Sequence, residues 1–387
     1  MAQLNTNRMF VTMLDETAWG DEGAAGNEAL VPVLDGDYGI ALDDPTREQQ
    51  HVVGDQQASY IVQDVRNLAG SIKMGLWPHQ WARVLDLALT RTSGELASVT
   101  FRQTYPGVET LVHAGCRVDS ITIEGAQGGD WMLTLAMRGR HESTETADTY
   151  PGSLEVPAIP SLLFKNTRVI LSLDSTGAME NAFLCTGAQN VRFTVNHNHK
   201  FGPAIEDRSN LEEDGVIAFL TAGRQTGEFS VTADFDRAAY TLLQRSRKKA
   251  QVRVVGAHPA FTDTFVVDTG GAAAGATKTV PLTANPTGVI SVNDYVFFDG
   301  AGGTLPCVAK VTTVNSGDIV VDVLDYAVTA GDNVYLGGFE LESGPGLVSA
   351  VARSHPSDDF ITAEVAGTVF SGGDDPLTWK ANDMTLP

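Results

Sequence analysis

Residues 70–89 read GSIKMGLWPHQWARVLDLAL and combine two hydrophobic periodicities. Ile72, Met74 and Leu76 alternate with small or polar residues, as in a strand with one buried face. After Pro78 the apolar residues take helical spacing. The stretch therefore predicts a strand at 69–76 that leads into a helix at 79–89.

The same plan recurs in the second half of the chain, at residues 227–246, GEFSVTADFDRAAYTLLQRS. There the alternation predicts a strand that leads into a helix at 236–247. A strand is predicted after each helix, and a closing strand pair completes each unit. The pair lies at 116–125 and 130–139 in the first unit, and at 346–354 and 358–367 in the second. This order predicts a duplicated strand–helix–strand–hairpin unit, with a chance similarity of ordinary α+β patterning as the alternative.

The fold class that we predict is mainly β (α+β), with duplicated sheet units each backed by a helix and a ring-forming β-barrel. Thirty-nine glycines and many short alternating runs favour strands and turns. Residues 12–50 are acidic and rich in glycine, with few strand signals. The predicted organisation is an N-terminal arm or loop at 1–50, a first unit at 51–140, a connector at 141–165, a second unit at 166–261 and 339–375, an inserted small surface β domain at 262–338 and a C-terminal tail at 376–387.

The charge balance is strongly acidic, with 48 Asp and Glu against 26 Lys and Arg and a net charge of −22. This balance excludes the extended basic surface with which most nucleic-acid-binding proteins bind their ligand. Solubility is the simplest reason for it, and the alternative is a surface that must not hold a polyanion. No apolar run approaches 18 residues, so we expect no membrane anchoring. Three widely spaced cysteines indicate reduced thiols rather than a disulfide framework.

A sheet backed by one helix has a second face and two edges that need partners or water. Alternation places Glu228, Asp234 and Glu364, and also Glu124, on the polar face. A ring of copies would pair the edges of all its sheets. Six units of about four strands would close into a barrel about 48 Å across, with a bore of about 35–40 Å.

Three motifs resemble chemical sites. FVVDTGG at 265–271 presents Asp268 as an aspartic protease would, but that chemistry needs two such carboxylates and the sequence has one, so we predict a turn. NHNHK places His197 and His199 on one side of a predicted strand, where solvated or ring-contact histidines are the simpler interpretation and a structural cation the alternative. RSRKK at 245–249 would cap the second helix or pair with an acidic neighbouring subunit. We predict no catalytic, cofactor-binding or metal residues and no cofactor.

The layout resembles the tail tube proteins, or major tail proteins, of long-tailed, siphovirus-type bacteriophages. The resemblance is carried by DETAWGDEG in the arm, the two strand-to-helix units, VRFTVNHNHKFG at 191–202, and the insertion, which is similar to the surface modules of such tubes. It implies a β-barrel ring stacked into a hollow tube that conducts the genome and catalyses nothing. The helices would lie outside, and the acidic residues would face the lumen and repel phosphates.

The resemblance also implies where copies meet. The arm and the loop at 196–214 would contact stacked rings, which makes ring-contact candidates of Trp19, Leu30, Val31, His197 and His199. Rings would be hexamers or trimers with pseudo-sixfold symmetry. The other implied partners are tape-measure, tail-terminator and baseplate proteins, with DNA passing through without specific binding. The protein would be assembled in the host cytoplasm and reside in the virion tail.

Two other functions stay open at this point. One is a different β-rich virion decoration protein, adhesin or surface-layer protein, in which the insertion would bind the target. The other is a hydrolase that uses Asp268.

Overall fold

The structure is a computed structural model of the 387-residue chain. It describes residues 9–22, 29–31, 33–43, 46–53, 56–63, 67–78, 80–92, 94–146, 161–173, 182–203, 217–221, 223–236, 249–261, 264–356, 360–370 and 375–382.

The described elements are almost all strands. The first half contains β1 (Phe10–Asp15), β2 (Ala29–Val31), β3 (Val33–Tyr38), β4 (Ala41–Asp43), β5 (Thr46–Val53), β6 (Gln56–Gln63), β7 (Asn67–Gly75), α1 (Trp81–Leu89), β8 (Arg91–Thr92), β9 (Glu95–Leu96), β10 (Val99–Tyr105), β11 (Glu109–Ala126), β12 (Trp131–Gly139) and β13 (His141–Thr146). The second half begins with β14 (Thr167–Leu173), β15 (Ala182–Leu184), β16 (Gly187–Asn196), β17 (Lys200–Pro203), β18 (Ile217–Thr221), β19 (Thr226–Asp236) and β20 (Lys249–Ala257). The remaining strands are β21 (Thr264–Val266), β22 (Gly275–Pro281), β23 (Tyr295–Phe298), β24 (Cys307–Val314), β25 (Asp318–Leu324), β26 (Asn333–Leu336), β27 (Gly338–Ser343), β28 (Gly346–Pro356), β29 (Phe360–Phe370) and β30 (Leu377–Lys380).

The main sheet is a half-barrel that runs through both halves of the chain. Its centre has the order β7–β12–β11–β16–β19–β29–β28, and each neighbouring pair is antiparallel. The fold is thus mainly β, as predicted. One face of these strands is apolar and buried, with Ile72, Ile121, Phe193, Phe229 and Val365 each at most 2% exposed. Burying each such side chain contributes about 1.5–3 kcal/mol, so this face holds the sheet in place.

The two halves repeat the same strand pairings. In the first half, β7 pairs with β12 and β12 with β11; in the second, β19 pairs with β29 and β29 with β28. A second pairing is also repeated: β1 pairs with β10 in the first half, and β14 pairs with β20 in the second. The hairpin β5–β6 occupies the place of the hairpin β17–β18. The closing strand pair predicted at 346–354 and 358–367 is confirmed by the pairing of β28 with β29.

An irregularity in register gives the repeat a residue-level alignment. The hairpin β11–β12 shifts register between Val118 and Ser120. The hairpin β28–β29 has the same shift between Val348 and Ala350. A bulge adds one residue to one strand, so matching bulges fix which positions correspond.

The insertion stands where the first half has a tight turn. Residues 106–108 join β10 to β11, whereas six strands, β21 to β26, lie between β20 and β27. These strands form their own sheet, in the order β21–β26–β23–β24–β25–β22, around an apolar core of their own. A small second cluster, which includes Ile170, Val255, Phe297 and Val308, joins the insertion to the second half.

The helix α1 lies on the buried side of the main sheet and begins two residues after the predicted start. Trp81, Leu85 and Ala88 are buried along its inner side. Trp81 stacks on Phe339 of β27 with ring centroids 5.2 Å apart, and its indole N–H donates to the carbonyl of Asn382. The first half's helix therefore packs against the second half's strands. The second predicted helix, at 236–247, lies outside the described residues except for Asp236, which ends β19.

Several expectations about irregular segments are wrong. The arm predicted at 1–50 contains β1 to β4 and the first five residues of β5, and β1 pairs with β10 over its whole length while β2 pairs with β1. The first six residues of the predicted connector form β13, which pairs with β11. The predicted C-terminal tail contains β30, which pairs with β27. These strands are short or rich in charge, so they are stabilised by the neighbour they pair with rather than by their own pattern.

Candidate functional surface

The face of the main sheet opposite α1 is polar, and its residues are set by the register of the strands. We call it the polar face. It carries small and hydroxyl side chains such as Thr122, Thr134, Thr194, Ser230 and Thr232, half-buried between their neighbours. The hydroxyl oxygens of Thr122 and Thr194 lie 3.3 Å apart across the β11–β16 pair. With no second apolar layer to bury, this face suits water.

The four predicted acidic residues all lie on the polar face. Glu228 and Glu364 are exposed, and Glu124 and Asp234 are half-buried. Asp234 is held in place, because it accepts hydrogen bonds from Gln189 Nε2 at 3.2 Å and from the Thr362 hydroxyl at 2.5 Å. The alternation in the sequence thus placed all four on one face, and their lumen role stays a prediction.

The polar face is less acidic than we expected. Arg192, on β16, lies directly opposite Glu124 in register and is exposed. Lys73, on β7, shares the row of Thr134 and Thr122. Arg138 donates to Asp119 at 2.9 Å, and this pair is electrically neutral. The excess of negative charge therefore rests on Glu228, Glu364 and Asp234, whose hydrogen-bond donors are neutral. This distribution depends on the pairing of six strands and could not be read from one of them.

The two histidines of NHNHK are not solvated and do not lie on a strand, which corrects our expectation. Strand β16 ends at Asn196, and Asn198 has a positive φ of 51°. His197 is fully buried: its Nε2 lies 2.8 Å from the carbonyl of Ala88, to which it donates, and its Nδ1 accepts from Gln225 at 3.0 Å. Burial, and then Arg91, lowers the pKa of His197 to about 4. A neutral side chain with no exposed surface in its own chain has none to offer a stacked ring.

His199 is also buried, next to Asp119. Its side chain has no exposed surface, and its Nδ1 lies 3.5 Å from Asp119 Oδ1. Its backbone N–H donates to the same oxygen at 3.2 Å. The interaction with His199, and then Arg138, holds the pKa of Asp119 well below its usual range despite partial burial. The pair fastens the end of β16 to the bulge of β11.

The other ring-contact candidates contact their own chain. The indole of Trp19 donates to the carbonyl of Gly115 at 3.0 Å and lies against the guanidinium groups of Arg117 and Arg140. Val31 is 4% exposed in the main core, and Leu30 accepts a hydrogen bond from the Gln80 amide through its carbonyl. Val31 is thus a core residue, while contacts of Trp19 and Leu30 with other copies stay predictions.

The carboxylate of Glu16 organises the arm, which the sequence did not indicate. Its oxygens accept from the Gly115 amide at 2.6 Å, the Thr100 hydroxyl at 2.8 Å and the Gly20 amide at 2.9 Å. Strands β10 and β11 are thereby joined to the loop after β1. An acidic residue in an acidic stretch gives no sequence signal for such a role.

The motif at Asp268 is a turn, as predicted. Asp268 Oδ1 accepts from the amide of Thr269 at 2.7 Å, and the Asp268 carbonyl accepts from the amide of Gly271 at 3.3 Å. Of RSRKK, only Lys249, the first residue of β20, falls among the described residues. Within the described ranges, no group of three or more His, Cys, Asp or Glu side chains could hold a metal ion.

A comparison with known protein families identifies the family of the chain. A family model described as phage tail tube protein matches residues 6–309, which is most of the chain and includes β1 to β23. The chain belongs to the phage tail tube protein family. No curated protein matches its sequence. Among the described residues of this tail tube chain, no helix is long and apolar enough to cross a membrane.

Membership gives this tail tube chain a structural role in the phage virion. The family is not enzymatic, and its members assemble into a tail tube together with other tail proteins.

Proposed function

We propose that this protein assembles into stacked rings whose polar face lines a channel for the phage genome. The observation that supports this most directly is the polar face itself, continuous over seven strands from both halves of the chain. A half-barrel with one polar face and one buried apolar face becomes a closed barrel when copies join at its edges. The polar face then surrounds the bore.

DNA has to slide through such a channel without binding to it. Hydroxyl and small side chains offer no cation to a phosphate, and Glu228 and Glu364 repel it. The acidic residues on the same face outnumber Lys73 and Arg192, so the face has no net electrostatic attraction for a polyanion. The channel would act by shape and charge and would catalyse nothing.

The partners of the tube follow from this role. Rings would stack through segments at the ends of the half-barrel, with Trp19 and Leu30 as the candidates that remain from the sequence. The ends of the tube would meet the tape-measure, tail-terminator and baseplate proteins. Assembly would take place in the host cytoplasm, and the product would be the virion tail.

Electron microscopy of the purified protein and a charge reversal test this function together. Wild-type protein should form rings or tubes that do not retain short duplex DNA. The double variant Glu228→Lys/Glu364→Lys should form the same tubes, because both side chains are exposed, but should retain duplex DNA at low salt and release it at high salt.

The matched control is Asp86→Lys/Asp268→Lys, which makes the same change in net charge at exposed positions on the helix and the insertion. It should form tubes that retain no DNA inside. Persistent monomers under all conditions would contradict the ring, and equal DNA retention by both variants would contradict an inward polar face.

A further inference from the structure

The two halves of the chain are joined by a strand pair that acts as a seam. Residues 120–126 of β11 pair antiparallel with residues 190–196 of β16, with Ser120 opposite Asn196 and Thr122 opposite Thr194. The first half ends its sheet with β11, and the second half begins with β16. This seam is therefore an example, inside one chain, of how one unit joins the next.

The corresponding edges lie on β28 and β4, at the two ends of the strand order of the main sheet's centre, and in the described part of the structure they are almost entirely without a strand partner. Strand β28 pairs with β29 along one side, and on the other side only Leu347 and Gly346 pair, with the start of β20. Strand β4 pairs with β7 on one side, and no described strand pairs with its other side. Open backbone N–H and C=O groups along such edges favour pairing with another chain.

The pairings fix which residues correspond. The shared bulge aligns Ser120 with Ala350, and Thr122 with Ala352. Ile72 aligns with Val231, because their partners Leu135 and Val365 occupy the same position of the two hairpins. The same alignment of β7 with β19 places Ala69 at the position of Glu228. Ala41 pairs with Ala69 and Thr194 pairs with Glu228, so Ala41 corresponds to Thr194 and β4 corresponds to the end of β16.

We propose that β28 of one copy pairs antiparallel with β4 and the end of β3 of the next copy, in the register of the internal seam. Ala350 then lies opposite Asp43, Val351 opposite Leu42, and Ala352 opposite Ala41 of the neighbouring copy. The proposal rests on the proposed function, and it names the partner of each edge. Because each copy offers one edge of each kind, the contact is head-to-tail, and such a contact gives a ring when the rotations between successive copies add up to a full turn. With two units per copy, three copies complete a ring of six units.

A disulfide at the seam tests the register. Ala352→Cys/Ala41→Cys places two thiols opposite each other on the polar face, within the Cα distance that a disulfide needs. Oxidation of assembled rings by oxygen with copper–phenanthroline should remove two protons and two electrons per bridge. Non-reducing electrophoresis should then show a ladder that ends at three chains and collapses with reductant. The natural cysteines, Cys116, Cys185 and Cys307, are all buried.

The matched control is Ala352→Cys/Ala69→Cys, which moves one thiol a single strand further into the neighbouring sheet, about 9–10 Å away. It should not form the ladder. A second pair, Ala350→Cys/Asp43→Cys, repeats the test two residues along the same face, in case the first variant does not fold.

The outcomes separate the seam from the function. Rings seen by microscopy with no cross-link at either seam pair, or with a cross-link in the control, overturn the register and leave the tube function standing. A ladder that ends at six chains overturns the three-copy ring. Failure of the wild type to form rings at all overturns the proposed function, and the seam with it.

Discussion

At the scale of single residues, several polar side chains are buried, and hydrogen-bond partners offset the cost of removing them from water. His197 is the clearest case: one ring nitrogen donates to Ala88 and the other accepts from Gln225, so the neutral imidazole is satisfied without water. His113 is similar, with Nδ1 bonded to the Tyr38 hydroxyl at 2.7 Å and Nε2 3.0 Å from Glu142. Burial lowers the pKa of His113 as well. Such side chains specify a position in the fold and contribute to stability only while uncharged.

We expect the stability of the protein to fall in acid because of His197. Its pKa is about 4 in the folded chain and about 6.5 when unfolded, so between these values the unfolded state binds more protons. The stabilisation is complete above about pH 6.5 and is lost as the pH falls toward 4, by up to about 3 kcal/mol. Urea unfolding at pH 7, 5.5 and 4 measures this slope.

The variant His197→Gln should keep the donor to Ala88 and lose part of the slope. The control His141→Gln removes a half-exposed histidine near Glu22 and should keep the wild-type slope, because His197 is still present. An unchanged pH dependence in His197→Gln would show that this imidazole does not control acid stability.

At the scale of elements, a buried charge cluster joins β20, β27 and β30 to the insertion. Arg253 lies 2.8 Å from Asp325 and 2.9 Å from Glu342, and Lys380 lies 3.1 Å from Asp325 and 3.0 Å from Glu340. Burial raises the pKa of Glu340, against the effect of the two cations. Burial alone would lower the pKa of Arg253, but the three carboxylates outweigh it and hold it above the usual value. Asp325 follows β25, so the cluster couples the insertion to the main sheet.

Removing the arginine from this cluster should be costly. Arg253→Met leaves three carboxylates with one lysine in a site where Arg253 is only 5% exposed. We expect a loss of about 3–5 kcal/mol in the free energy of unfolding, since breaking a buried network leaves uncompensated charge. The control Lys249→Met, an exposed position on the same strand, should change it by less than about 0.5 kcal/mol. Equal effects of the two variants in denaturant titrations would contradict the role of the cluster.

At the scale of the whole molecule, the chain is a duplicated unit in which one turn has been replaced by a folded insertion. Tyr105 and Glu109 close the turn in the first half at the position that Ala257 and Gly338 occupy in the second. The ends of the insertion therefore lie as close together as adjacent strand partners, which is the geometry that tolerates an inserted segment. The sheet centre needs no residue of the insertion for its pairings.

Replacing residues 258–337 by Pro-Gly-Val, the turn of the first half, should leave a protein that still assembles. The loss of Asp325, and of Phe297 and Val308 over Ile170 and Val255, should lower its stability. Cryo-electron microscopy should show tubes of the same bore with a smaller outer diameter. Folded protein, judged by circular dichroism, that forms no tubes would show that the insertion takes part in assembly.

The sequence by itself determined α1 and the long strands of the main sheet's centre, because their periodicities depend only on which face of each element is buried. It indicated the repeat, the interruption by the insertion and the shared side of Glu124, Glu228, Asp234 and Glu364. The tertiary structure alone decided the short strands β2 to β4, β13 and β30, which owe their conformation to a neighbour's backbone rather than to their own residues. It also decided that His197 and Val31 are interior, that Arg192 lies opposite Glu124, and which edges stay open. Each of these depends on register between segments distant in the chain, and register is set by pairing and packing that no local pattern contains.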